Sequence, residues 1–322
     1  MADRIRVIFS HLTARPELRD GANTTKTKYF YTLDNPRLSD EQRSFYEHNG
    51  FLLVKDLVPH DLIDGWRDRF LEIVEGDTGS SGMITKMKDI SMRGVAGVSG
   101  ERSVNKIQDF VWDPKLCTHC TLPQILDYVE CFTGGNIMAM HTMLINKPPD
   151  AGTLTSRHPM HQDLHYFPFR PAERIVCAWT AMERVDESNG CLFVVPGTHT
   201  LSLLQHDYPE WQDGVNKMYH GVRGYDDHPR TFLPMEKGDT VFFHPILLHG
   251  SGSNTTQVGL DEGLVRLDEG LVRLDEGLDF KVGLDEGLVR LDEGLDFKVG
   301  LDEGLEIWKF RSRNVRGQPV NL

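Results

Sequence analysis

The pattern of apolar and polar positions divides the chain into a helical first part and a strand-rich middle. Ser39-Asp40-Glu41-Gln42 reads as a capping box opening a short helix that stops at Gly50. Phe51-Leu52-Leu53-Val54 is a short apolar run of the kind that forms a buried strand. From Pro59 a second helix is predicted, with Leu62, Trp66, Phe70 and Ile73 on one side and Gly76 at its end. Pro123 opens a third, with Ile125, Tyr128, Val129 and Phe132 inward and Gly134 as its stop. Residues 13–38 are polar and poorly patterned, a linker, and the Gly/Ser/Met-rich stretch 77–103 reads as a loop. Strands are then predicted over 136–146, 158–165, 175–183, 190–195 and 239–249, separated by Pro, Gly, Asn and Asp. Helices followed by short strands predict an α+β chain with a mainly β core, its N-terminal helices flanking a sandwich or jelly roll.

The pattern changes after Gln257. Residues 267–282 are repeated letter for letter at 284–299, and the smaller unit is Leu-Asp-Glu-Gly-Leu-Val-Arg. Leucines at 260, 264, 267, 271, 274 and 278 imitate a coiled-coil seam. Each heptad also carries a glycine, which costs about 1 kcal/mol in a helix interior. Perfect copies are first of all the mark of a tandem duplication or a faulty gene reading. A weak helical arm is the second reading and a partner-binding module the last. The expectation is a mobile, solvated insert.

That insert also distorts the charge. The chain has 322 residues and a net charge of −13, but residues 258–306 hold 15 acidic and 5 basic residues, leaving the rest nearly neutral. A nearly neutral body gives no electrostatic case for nucleic acid. No apolar run approaches the ~18 residues of a membrane span. The five cysteines (Cys117, Cys120, Cys131, Cys177, Cys191) are few and odd in number, and no secretory signal precedes them. Free thiols in a reducing compartment are expected. Cys117-Thr118-His119-Cys120 lacks the second pair that a zinc site needs.

The candidate chemistry lies in two histidines and an aspartate. His161-Gln162-Asp163 offers His-x-Asp, and His249 lies far downstream at the end of a predicted strand. Residues i and i+2 of an extended strand point the same way, so His161 and Asp163 can grip one metal while His249 closes from a neighbouring strand. Two histidines and a carboxylate are the facial ligand set of non-haem Fe(II), which leaves three positions open. His158, His165 and His244 compete, and His165, on the same face by parity, is the best substitute. In the bland alternative His161 is a loop histidine and His249 a strand-end residue.

Longer stretches carry a resemblance. Tyr128-Val129-Glu130-Cys131-Phe132-Thr133-Gly134, the run from Asn136 to Asp150, Ser156-Arg157-His158-Pro159, the run from His161 to Arg170, Val176 to Glu183 and Met235 to Pro245 closely resemble the phytanoyl-CoA dioxygenase family. The likeness runs from about Tyr29 to Gln257 and resumes at Ile307-Trp308. It implies a double-stranded β-helix (jelly roll or cupin-like) in which the repeat insert replaces the last core segment. The implied division is 1–28 targeting segment and linker, 29–257 dioxygenase domain, 258–306 repeat and 307–322 the end of the domain. His161, Asp163 and His249 would hold Fe(II), and Lys106, Met143, Gln162, Trp179 and Ser251 would line the pocket of the co-substrate 2-oxoglutarate. By themselves Met143 and Trp179 read as core, and Lys106 and Ser251 as surface. Ascorbate is the further cofactor implied.

The implied reaction is 2-hydroxylation of phytanoyl-CoA and other branched-chain fatty acyl-CoAs in peroxisomal α-oxidation, coupled to conversion of 2-oxoglutarate to succinate and CO2. Arg4-Ile5, five residues, then His11-Leu12 resembles the amino-terminal peroxisomal targeting signal, with Ile5, Ile8 and Leu12 on one helical face for an import receptor. The alternative is an ordinary amphipathic start. The ending Pro319-Val320-Asn321-Leu322 is not the carboxy-terminal type of signal. The expected location is therefore the peroxisomal matrix.

One part of the family pattern is missing. An arginine about ten residues after the far histidine should fork onto the distal carboxylate of 2-oxoglutarate. Here the chain runs through Gln257 into the repeat with no arginine at that place, and the role is not carried onto Arg266. A lost charge-assisted fork, ~2–4 kcal/mol, weakens co-substrate binding roughly 30- to 1000-fold. The missing stretch would also supply the last core strand, leaving a neighbouring strand with an open edge. Two other readings stay open, an impaired metal-binding relative acting as an interaction protein and a cupin oxygenase that needs no 2-oxoglutarate. Arg157, Arg170 and Lys147 are candidate phosphate contacts because they are basic and near the site.

Overall fold

The computed structural model describes residues 29–76, 83–88, 100–149, 157–208, 219–225 and 228–256, with the backbone of two further strands over 264–273 and 313–316. The targeting stretch 4–12 and most of the repeat lie outside the described residues. Three α-helices are described, α1 (Asp40–Asn49), α2 (His60–Glu75) and α3 (Pro123–Thr133). The Ser39 side chain accepts from Gln42 N–H while the Gln42 side chain accepts from Ser39 N–H, which is the capping box read from the sequence. Gly50 ends α1 at φ +79°, and a Cβ there would lie 2.5 Å from the His199 ring, so no other residue fits without displacement. On α2 the buried stripe is Ile63, Trp66, Phe70 and Ile73, with Leu62 half-buried at its border.

Two antiparallel sheets face each other. The larger runs β1 (Phe51–Val54), β11 (Thr240–Phe243), β6 (Ile175–Ala181), β13 (Leu264–Arg273), β4 (Ile137–Lys147), β3 (Val104–Gln108), β2 (Thr85–Lys88), with β14 (Arg313–Arg316) also on β4. The smaller runs β10 (Thr231–Phe232), β7 (Leu192–Val194), β12 (His249–Ser251), β5 (His158–His161). A short pair, β8 (His206–Asp207) and β9 (Gly221–Val222), stands beside them. This is the expected double-stranded β-helix with helices on one outer face. Alternation along the central strands builds both cores. Val176, Ala178 and Phe242 pack against the helices, whereas Cys177, Trp179, Val241 and Phe243 point between the sheets. That explains why β6 is buried at every position. Among the described residues no helix is long and apolar enough to cross a membrane.

Three expectations need correction. The predicted strand 239–249 is two strands in different sheets. β11 stops at Phe243 because Pro245 has no N–H to give to a ladder, and the chain crosses to the small sheet before β12. The predicted strand 158–165 ends at His161, and Asp163–His165 form a 3₁₀ turn, with His165 N–H donating to Gln162 O. The loop predicted over 77–103 contains β2, whose polar sequence Thr-Lys-Met-Lys gave no alternation to read.

The repeat also departs from expectation where it is described. Its residues Leu264–Arg273 lie between β4 and β6, in register with both, so the edge expected to stand open is paired. The physical reason is that β4 and β6 each leave a row of backbone donors and acceptors facing the gap, and an adjoining chain satisfies them. Leu267, opposite Leu144 and Thr180, is central to this strand. Leu267→Pro is expected to lower stability by about 1–3 kcal/mol, read as a shifted urea midpoint, because it removes a ladder donor. An unchanged midpoint would mean that another segment fills the slot.

Candidate metal centre

His161 ends β5, and its direct partner across the ladder is His249, the first residue of β12. Close approach of these strands depends on Gly250, where a Cβ would lie 2.6 Å from Phe193 and 2.9 Å from the His158 carbonyl. Gln162 is extended (φ −119°, ψ 124°), and Asp163 then opens the 3₁₀ turn. The turn, rather than a continued strand, brings the carboxylate back to the two rings. One ligand atom from each of His161, Asp163 and His249 lies within 4.8 Å of the others. Among the described residues they are the only group of three or more such side chains that converges in this way.

The hydrogen bonds set the chemistry of these atoms. His161 Nδ1 faces the Pro159 carbonyl at 2.8 Å, and His249 Nδ1 faces the Leu247 carbonyl at 2.9 Å. A carbonyl only accepts, so each Nδ1 carries the proton and a neutral ring keeps a lone pair on Nε2. Those Nε2 atoms stand 3.1 and 3.5 Å from Asp163 Oδ1. Burial, ahead of repulsion by His249, pushes His161 below the ordinary histidine value, so its ring is neutral at pH 7. Burial alone would raise Asp163. Once protonated in acid, the neighbouring imidazoles, His249 first, outweigh it and hold the carboxyl well below the usual carboxylate range. Three electron-pair donors thus converge with no proton assigned between them, an arrangement that a shared cation relieves. The donor set fits a divalent transition metal with carboxylate and imidazole preference.

Around this point the two sheets enclose a cleft. Trp179, Met143 and Phe243 line it from the large sheet, and Ser251 and His158 from the small one. The His158 ring stacks on His161 at 4.3 Å between centroids, with its other neighbour, Tyr219, 4.0 Å away. The remaining sequence candidates fare differently. Lys106 is buried, and its ammonium sits 5.5 Å over the Tyr219 ring. Gln162 is fully buried, but its amide is spent on the Ser202 and Ile246 carbonyls and the Leu204 N–H. These bonds hold the turn beside the three converging side chains. His165, the substitute ligand by parity, instead meets His220 Nδ1 at 2.9 Å and stacks on His206. Arg157 lines the cleft, while Arg170 donates to the Phe167 and Phe169 carbonyls. All five cysteines are buried free thiols, as expected.

Sequence reasoning missed one contact altogether. The Cys177 thiol donates to Asp163 Oδ2 at 3.1 Å from the facing sheet. Nothing at 177 announces this, since the sequence shows only an apolar strand position.

Comparison with known proteins places these features. The family profile described as "Phytanoyl-CoA dioxygenase (PhyH)" matches residues 46–259. The peroxisomal phytanoyl-CoA dioxygenase of Rattus norvegicus is 56% identical over 265 residues, covering 79% of this chain and 78% of the relative. That of Homo sapiens is 53% identical over 268 residues, covering 80% and 79%. Among solved structures, the epimerase SnoN in complex with Fe3+, alpha ketoglutarate and nogalamycin RO aligns with a TM-score of 0.53 at 17% identity, over 71% of this chain and 81% of that one. At that identity the likeness is one of fold.

Proposed function

The chain belongs to the phytanoyl-CoA dioxygenase family, and from that premise we propose that it is an Fe(II)- and 2-oxoglutarate-dependent oxygenase that hydroxylates C2 of phytanoyl-CoA and related branched-chain acyl-CoAs. The observation that carries this reading is the convergence of His161 Nε2, His249 Nε2 and Asp163 Oδ1. In this reading the three side chains hold the iron. Bound iron supplies the oxygen activation for which no side chain here is suited. The protein contributes position and exclusion of water. The backbone carbonyls of 159 and 247 fix both imidazoles by their Nδ1 protons. The Cys177 thiol occupies Asp163 Oδ2 and leaves Oδ1 to the metal. Met143, Trp179 and Ser251 line the space for 2-oxoglutarate, with Lys106 behind Tyr219 and Gln162 holding the ligand turn. Ascorbate serves as the reductant that keeps the iron ferrous. The named location of the relatives and the Arg4-Ile5…His11-Leu12 pattern support import into the peroxisomal matrix through the amino-terminal signal receptor.

The missing arginine gives this chain a distinct expected behaviour. Release of labelled CO2 from 1-labelled 2-oxoglutarate should depend on Fe(II) and on phytanoyl-CoA. The required 2-oxoglutarate concentration should be roughly 30- to 1000-fold above that of the rat enzyme measured alongside. Iron binding with no CO2 release at any concentration would instead support a metal-binding interaction protein, and oxygen uptake without the keto acid would support a cupin oxygenase of another kind. The intact mass of the protein isolated from its natural source settles whether residues 258–306 are translated.

A further inference from the structure

One side of the cleft around the metal donors is polar. There the Lys147 ammonium donates to Ser251 Oγ at 2.6 Å, and Asn105, Asn146 and Arg157 line the wall beside it. That side offers little to a long hydrocarbon chain. Exposed apolar surface lies next to the ligand turn instead, on the segment between β7 and β9. Among the described residues five large hydrophobic side chains are exposed, and three of them, Leu201, Leu203 and Tyr208, fall within eight residues of sequence. This segment is anchored at the residue between two of the metal-side donors. The Gln162 side chain donates to the Ser202 carbonyl at 3.2 Å and accepts from Leu204 N–H at 2.8 Å, and Gln162 N–H donates to His206 Nε2 at 3.0 Å. Leu204 packs inward against the cluster of Met160, Phe193 and Leu248, whereas its neighbour Leu203 is left outside. Tyr208 is tied to the same centre by a series of rings. It meets His220 edge-on at 4.2 Å, Tyr166 lies 6.3 Å beyond, and the Tyr166 ring stands 6.1 Å from that of His161. A single exposed leucine is ordinary, but several apolar side chains on one segment bonded to the metal turn mark a surface that is used.

We propose that Leu203 and Tyr208 carry the hydrocarbon chain of the acyl-CoA where it leaves the metal, and so set the preference for long branched chains. The inference rests on the function reading and names the surface that recognises its substrate. Hydroxylation at C2 fixes the thioester end of the substrate beside His161 and Asp163. With 2-oxoglutarate in the polar side of the cleft, the chain from C3 onward leaves past the ligand turn, where these two side chains stand. Each methylene that leaves water there is worth about fourfold in affinity, so a few such contacts separate a long chain from a short one.

The test is a calorimetric titration of the iron-loaded full chain, with 2-oxoglutarate and without oxygen, against phytanoyl-CoA and against 3-methylbutanoyl-CoA. The two share the thioester, the nucleotide and the branch at C3, but the second chain ends at C4. The wild-type chain is expected to bind phytanoyl-CoA roughly 10- to 100-fold more tightly. Leu203→Ser/Tyr208→Ser should cut that preference by about tenfold, with iron content and affinity for the short acyl-CoA unchanged. Both positions are exposed, so the fold tolerates the change. Leu203→Met/Tyr208→Phe keeps apolar surface at both places and should retain the preference. Phe232→Ser alters an exposed apolar residue on β10, at the edge of the small sheet opposite β5, and should change neither affinity. A serine double variant with the wild-type ratio, or a Phe232→Ser variant that loses as much, overturns the inference while leaving the function reading intact. Equal weakening of the long and the short acyl-CoA marks a structural role and overturns it too, as does a wild-type chain that binds both equally. A wild-type chain that binds neither overturns the function reading and this inference with it.

Discussion

Asp163→Ala is expected to leave the chain unable to retain iron and to lower turnover by about 10³-fold or more. The carboxylate is the one anionic member of the triad, and its Oδ1 is the atom toward which both Nε2 atoms turn. Removing it leaves two neutral imidazoles, too few to fix the metal against buffer and chelators. The structural cost should be small, because Asp163 opens a 3₁₀ turn whose backbone bonds, His165 N–H to Gln162 O and Leu164 N–H to Pro245 O, do not involve the carboxylate. Circular dichroism should thus be unchanged while metal content falls. Cys177→Ala is the graded comparison. It removes the thiol on Asp163 Oδ2 and keeps all three ligands, so metal affinity should fall about 10- to 100-fold. An Asp163→Ala chain that still holds one iron per molecule would remove the basis of the proposed function.

Acid should unfold the metal-free chain at a pH where most proteins of this size still stand. His206 and His244 are buried, and burial, the foremost cause for each, pushes both down to about 3. Burial likewise lowers His141 and His165 to about 4. An unfolded histidine titrates near 6.5, so below that pH the unfolded chain takes up protons that the folded chain refuses. The stability these rings contribute is complete above pH 6.5 and is lost as pH falls toward 3. At pH 5 His206, partly screened by solvent, and His244 together account for about 3–4 kcal/mol, a sizeable share of the ~5–15 kcal/mol by which a protein of this kind is stable. Urea midpoints of the apo chain at pH 7.5 and 5.0 measure the loss. His244→Gln should flatten the dependence by about half of that amount, and a midpoint that does not move between the two pH values would contradict the account.

Much of the helical layer was legible because its signals are local. Periodicity at Trp66, Phe70 and Ile73, the Ser39–Gln42 box and the glycines at 50 and 76 lie within a few residues of what they control. The three side chains that converge were legible by residue type and by the longer resemblance, but parity alone misdescribed how they meet. His161 and Asp163 do not share a continuous strand, and His165 leaves the strand face because the chain turns at Gln162. The repeat was misread for a similar reason. Leucines at a 4-3 spacing suggest a helix, yet Leu264–Arg273 pairs as a strand without an alternating pattern, because the rims of β4 and β6 offer it backbone partners on both sides.

By itself, the sequence determined the class of chemistry, the helices and the family, since these depend on residue identity and on neighbours a few positions away. The pairing of His249 with His161, the thiol on Asp163, the ammonium on Ser251 and the strand that fills the gap were decided by the tertiary structure. Each joins atoms from segments that only strand pairing or the packing of one sheet on the other brings together, 88 residues apart in the case of the two histidines. Hydrophobic pattern fixes which face of a strand is buried, but the register between distant strands follows from the whole set of backbone hydrogen bonds and side-chain contacts closing at once.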